Sequence, residues 1–144
     1  MANLFENHRL LLLYKGDISA LTLFAQHNGS VCFPSPLPVL SEMLETEDSE
    51  IDEINLHPAL LLKEINQIFN FDDDLLKIEP TFCEQVRTPK GNITVYIARF
   101  TLLDPPHQLL ESRDCKLKTL MELSRQLPTE LELLRRAYVK MMEG

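Results

Sequence analysis

Pro58-Ala59-Leu60-Leu61-Leu62-Lys63-Glu64-Ile65-Asn66-Gln67-Ile68-Phe69-Asn70-Phe71 is the stretch that decides the fold. Leu61, Ile65, Ile68 and Phe69 recur at helical spacing, and Leu62 widens the apolar stripe. Pro58 suits a first helical turn, where its missing N–H has no partner to lose. Asn70 tolerates the left-handed conformation that ends a helix. The spacing therefore predicts a helix over 58–71. Helices this apolar must bury their stripe, and the neighbouring segments read as a sheet to receive it.

Toward the N-terminus, His8 to Tyr14 and Ile18 to Gln26 read as a β-hairpin, with Lys15-Gly16-Asp17 as its turn. His27-Asn28-Gly29-Ser30 is a second turn. Val31 to Phe33 reads as a short strand, stopped by Pro34, Pro36 and Pro38. Leu40, Met43 and Leu44 suggest one short helical turn at the head of an acidic loop: Glu42, Glu45, Glu47, Asp48, Glu50, Asp52 and Glu53.

On the C-terminal side, Asp72-Asp73-Asp74 is a loop. Leu75 to Arg87 and Asn92 to Leu103 read as paired strands, joined by the turn Thr88-Pro89-Lys90-Gly91. Ile93, Val95 and Ile97 share one face; Thr94, Tyr96 and Ala98 share the other. Both faces are mostly apolar, which predicts a central strand covered on both sides. A helix is expected from about Asp114 to Leu127, with Leu117, Leu120, Met121 and Ser124 inward. Thr129 to Glu132 has the form of a capping box opening a last helix. Its stripe is Leu131, Leu134, Ala137, Tyr138, Met141 and Met142, and its Arg135 and Arg136 are expected to pair with Glu130 and Glu132.

The chain has 144 residues, 44% hydrophobic and 25% charged. That is the length of one domain, so a single domain over 1–144 is expected. A domain this size buries roughly 70% of its unfolded surface and folds without a metal or disulfide staple. The net charge of −8 opposes nucleic acid and anionic membrane, since both demand a basic face. No apolar run is long enough to span a bilayer, and Leu10 to Tyr14 is too short for a signal-peptide core. Cys32, Cys83 and Cys115 are odd in number and widely spaced, as expected of thiols in a reducing cytoplasm. A catalytic cysteine needs a histidine, and the spacing of His8, His27, His57 and His107 indicates no such pair. With glycine only at 16, 29, 91 and 144, a phosphate-cradling loop is not expected.

The 58–71 helix and its approach resemble the signature region of the Nudix family. That box runs Gly, five residues, Glu, seven residues, then Arg-Glu-apolar-x-Glu-Glu-x-Gly-apolar. The best register sets Ser49 at the first Gly, Asn55 at the first Glu and Lys63 at the Arg. Glu64 matches its Glu; Ile65 and Phe71 match the apolar places. Gln67 and Ile68 replace the paired Glu, and Asn70 replaces the second Gly. The motif covers 49–71, and the element order extends the resemblance over about 8–140.

The resemblance implies a mixed α/β (α+β) fold, an α/β/α sandwich with helix 58–71 and the C-terminal helices packed on a mixed sheet. In that family the box carboxylates hold Mg²⁺ against a nucleoside diphosphate-linked substrate. Mg²⁺ is a hard ion that wants several charged oxygens. Gln67 offers a neutral carbonyl and Ile68 no oxygen, so Glu64 is the only surviving catalytic or metal-binding carboxylate of the box. The expectation is a Nudix-like domain that has lost pyrophosphohydrolase activity, needs no cofactor, and binds a ligand or protein partner. One alternative is a divergent Mg²⁺-dependent hydrolase in which Glu50, Glu53 or Asp72 assists Glu64. Another is a small cytoplasmic interaction module or homodimer, docking through the edge of Val31 to Phe33 or the C-terminal helix.

Overall fold

A computed structural model describes residues 6–16, 21–44 and 57–143. The strands are β1 (His8–Lys15), β2 (Thr22–His27), β3 (Cys32–Phe33), β4 (Glu42–Met43), β5 (Leu76–Thr88), β6 (Gly91–Phe100) and β7 (Cys115–Lys118). The helices are α1 (Pro58–Phe69), α2 (His107–Glu111) and α3 (Pro128–Glu143), with a 3-10 turn at Met121–Leu123. The fold is mixed α+β. One sheet runs β4-β5-β6-β1-β2-β7, and β3 also pairs with β1. The pairing of β1 with β6 is parallel; the other pairings are antiparallel.

The centre of the sheet follows from two segments that are apolar on both faces. Leu10, Leu11, Leu12 and Leu13 on β1 are all fully buried. Such a run is what a strand covered on both sides requires. Leu10 and Leu12 join Leu61, Leu62, Ile65 and Phe69 of α1 in one core cluster. Leu11 and Leu13 join Leu133, Leu134, Ala137 and Met141 of α3 in another. The strand period of two thus sends alternate leucines to different helices. On β6, Ile93, Val95 and Ile97 share the α3 cluster, while Ala98 lies in the α1 cluster.

Strand β5 serves both clusters by a different device. Its register with β6 shifts between Glu79 and Glu84. Leu76 and Ile78 pack with α1 before the shift, and Phe82 and Val86 pack with α3 after it. An irregularity in register exchanges the faces to which side chains point.

Helix α1 stops at Phe69, short of the expected 71, because Asn70 turns left-handed; Ile68 of the expected stripe is exposed, and both ends are capped. His57 Nδ1 accepts the Ala59 N–H at 3.1 Å. Asn70 sits left-handed at φ 56° and donates its N–H to the Asn66 carbonyl. The β1–β2 hairpin forms as expected, though Asp17 to Ala20 lie outside the described residues. The turn at Asn28-Gly29 takes φ 50° and 79°, and the Thr88–Gly91 turn joins β5 to β6.

Several expectations are corrected. Leu40 to Leu44 contain no helical turn; Glu42 and Met43 form β4 against Arg87 and Val86. The strand expected to run from Asn92 to Leu103 stops at Phe100, and Leu102 and Leu103 are exposed. The next residue, Thr101, leaves the β5–β6 ladder: its hydroxyl donates to the Asp74 carbonyl at 2.8 Å.

The helix expected from Asp114 to Leu127 is replaced by β7 and the 3-10 turn, and the short α2 precedes them. Asp114 is left-handed at φ 59°, which breaks any helix there. Cys115 to Lys118 then pair with β2, whose edge would otherwise lack partners. Met121 and Ser124 are exposed rather than inward. The last helix begins at Pro128, and the Thr129–Glu132 capping box does not form. Thr129 Oγ1 donates instead to the Ser41 carbonyl, and Glu132 takes Arg136 at 3.0 Å. Glu130 turns inward, so Arg136 pairs with Glu132 and Glu84, and Arg135 with Glu132. Val31 to Phe33 are buried, with Cys32 and Phe33 paired to β1, so they offer no exposed edge. Met142 is exposed, while the unforeseen Leu133 is fully buried.

Candidate functional site

The C-terminal end of α1 meets the turn before β7 at a cleft of about 500 Å³. His27, Ile68, Phe69, Arg113 and Asp114 are among its walls. Arg113 is built into this corner. Its Nε donates to the Phe69 carbonyl at 2.7 Å and its Nη2 to the Asn70 carbonyl at 3.2 Å. Those are orphan carbonyls of the helix end, where a cation also meets the negative pole of the helix dipole. Nη1 donates to Ser112 Oγ at 2.8 Å.

His27 ends β2, opposite Cys115 on β7. Its Nδ1 lies 3.0 Å from the Asp114 carbonyl and 3.8 Å from Cys115 Sγ. A carbonyl only accepts, so Nδ1 carries the proton in this contact. The imidazole stands edge-on to Phe69, with centroids 4.9 Å apart.

This brings together a cysteine and a histidine separated by 88 positions in the chain. No spacing rule could have signalled the pair. It is not a nucleophile and its base, however. Burial and the neighbouring Asp114 push the Cys115 thiol up to about 11. The nitrogen facing it already carries a proton and cannot accept another. Cys32 is held well above the ordinary thiol range by burial and by Glu130.

Glu64 is half-buried on α1, and Gln67 and Ile68 are exposed on the same helix. Asp72 is exposed beyond the helix end and Glu42 is exposed on β4. Glu50 and Glu53 lie outside the described residues, as does most of the acidic segment. Among the described residues, no three His, Cys, Asp or Glu side chains are grouped to hold a metal ion. The basic tip Arg87–Gly91 is a self-contained turn in which Thr88 Oγ1 donates to the Gly91 carbonyl at 2.6 Å. No helix among the described residues is long and apolar enough to cross a membrane.

Among the described residues, the cleft sets a guanidinium and an imidazole beside apolar side chains. Arg113 supplies positive charge, the His27 imidazole a polar edge, and Ile68 with Phe69 an apolar wall. Sequence reasoning missed His27 and Arg113, because their roles arise from a strand register and a helix end that are distant in the chain. No model of a known protein family matches the chain, and a comparison with curated protein sequences finds no match either.

Proposed function

We propose that this protein is a Nudix-like domain that binds a small anionic ligand at the α1 cleft and does not hydrolyse it. The element order supports the reading: strands, a helix on one sheet face, a strand pair, and a C-terminal helix on the other face. The observation that carries it is Ile68. This residue stands where the Nudix box has one of its paired carboxylates, and here it lines a cleft beside Arg113.

The donor set on α1 does not fit Mg²⁺. Glu64 is its one carboxylate, Gln67 contributes a neutral carbonyl at best, and Ile68 contributes nothing. An apolar side chain near a guanidinium suits an anion carrying an apolar body better than a hydrated cation.

Isothermal titration against a panel of nucleotides and nucleotide sugars, with and without Mg²⁺, tests this. The expected result is saturable binding that does not need Mg²⁺ and is weakened by Ile68→Glu, which adds an anion to an exposed position. Turnover comparable to an intact hydrolase and abolished by Glu64→Gln overturns it, as does absence of binding across the panel.

A further inference from the structure

A second cleft lies on the α3 face of the sheet. Its volume is about 430 Å³, and Lys15, Lys77, Glu79, Arg99 and Leu102 help to line it. Lys77 and Arg99 are direct partners across the antiparallel β5–β6 pair. Arg99 is in turn the partner of Leu13 on β1, two residues before Lys15. The period of two puts Lys15 on the face of Leu13, which belongs to the α3 cluster. Three adjacent strands therefore present three cations to one cleft, on a chain whose net charge is −8.

Cations directly opposite in a strand pair destabilise it. Little in the cleft offsets this pair. Glu79 is the nearby carboxylate, but its Oε1 is taken by Thr81, whose hydroxyl donates at 2.8 Å. Its Oε2 reaches Arg99 only at 4.0 Å. No ion pair among the described residues holds Lys77, which is exposed. Lys15 is anchored, donating from Nζ to the Met141 carbonyl at 2.7 Å. That contact fixes one wall of the cleft to the end of α3.

We infer that Lys77 and Arg99 clamp a phosphate group of a small organic ligand, with Lys15 as a third positive charge and Leu102 against the ligand's apolar part. An Arg fork matches a phosphate's oxygens in two places at once, and a lysine adds charge without demanding geometry. The bound dianion would remove the repulsion between the two opposed cations. The two clefts share no lining residue.

The test is a ¹⁵N NMR titration of the full chain with phenyl phosphate, with inorganic phosphate and benzyl alcohol as separate arms. Saturable shifts confined to residues around Lys77, Arg99 and Thr101 are expected with phenyl phosphate. Weaker binding of inorganic phosphate at the same residues supports the apolar contact. Lys77→Ala and Arg99→Ala should each weaken binding about tenfold, as loss of one charge-assisted hydrogen bond implies. Both side chains are at least partly exposed, so the variants should fold, and thermal melting verifies that. Shifts that do not saturate, shifts elsewhere only, or unchanged affinity in both folded variants overturn the inference. Ile68→Glu must leave this binding intact, which separates its failure from that of the α1 cleft.

Discussion

Ser30 Oγ donates to Glu130 Oε2 at 2.7 Å, and both residues are buried. This contact ties the turn after β2 to the first turn of α3. Gln126 Nε2 donates to the other carboxylate oxygen at 2.6 Å, and the Val31 N–H approaches it at 3.4 Å. A carboxylate in the first turn also meets the positive pole of the helix dipole.

Glu130→Ala leaves a buried hydroxyl, an amide and a backbone N–H short of an acceptor. The expected loss is about 2–4 kcal/mol. Glu130→Gln retains an acceptor and should lose less. Urea unfolding of the two variants beside the parent checks both magnitude and order; equal losses would contradict the account.

Arg113→Met removes the donors from the end of α1 while keeping an unbranched apolar stem. A loss of about 1–2 kcal/mol is expected, read as a lower thermal midpoint. Arg113→Lys should recover part of it, because the charge remains but the fork does not. No recovery would mean that charge at the helix end contributes nothing.

The thiols should react in a fixed order. Cys83 is exposed, whereas Cys32 and Cys115 are buried. A maleimide at neutral pH should label Cys83 alone in the folded protein, and Cys83→Ser should abolish that labelling. Burial moves the Cys115 thiol from its ordinary 9.0 to about 11. The folded state thus keeps a proton that the unfolded state releases. The contribution to stability is complete below about 9 and declines as pH rises toward about 11. Chemical unfolding across that range in the parent and in Cys115→Ala shows it: the parent should lose stability more steeply.

Gly29→Ala tests the turn between β2 and β3. Nothing lies within 4 Å of the added methyl, so packing should not oppose it. The backbone should, because φ is +79°. A cost of about 1 kcal/mol is expected, measured as a shift in the denaturation midpoint.

Much of the architecture was legible in short-range pattern. The α1 stripe apart from the exposed Ile68, its Pro58 start and its Asn70 end all depend on neighbours within a few residues. The same holds for the Thr88–Gly91 turn and for the two apolar faces of Ile93 to Ala98. The misread parts depend on distant partners. Cys115 to Lys118 resemble helix until β2 supplies an edge to pair with. Thr129 and Glu132 have a capping pattern, yet Ser41 and Arg136 compete for their side chains and win.

The sites were less legible than the fold. Glu64 could be located by motif, but a motif says nothing of what lies around it. His27 meets Cys115 through a strand register, Arg113 meets Phe69 through a helix end, and Lys77 opposes Arg99 through a hairpin pairing. None of these distances is encoded in local spacing.

The sequence by itself determined charge, the helix stripe, the turns and the strands covered on both faces, because these follow from periodicity and backbone preference. The tertiary structure alone decided which cations share a cleft, which thiols are shielded and where Glu130 points. Those are properties of residues far apart in the chain, which only the packed sheet and its helices bring together.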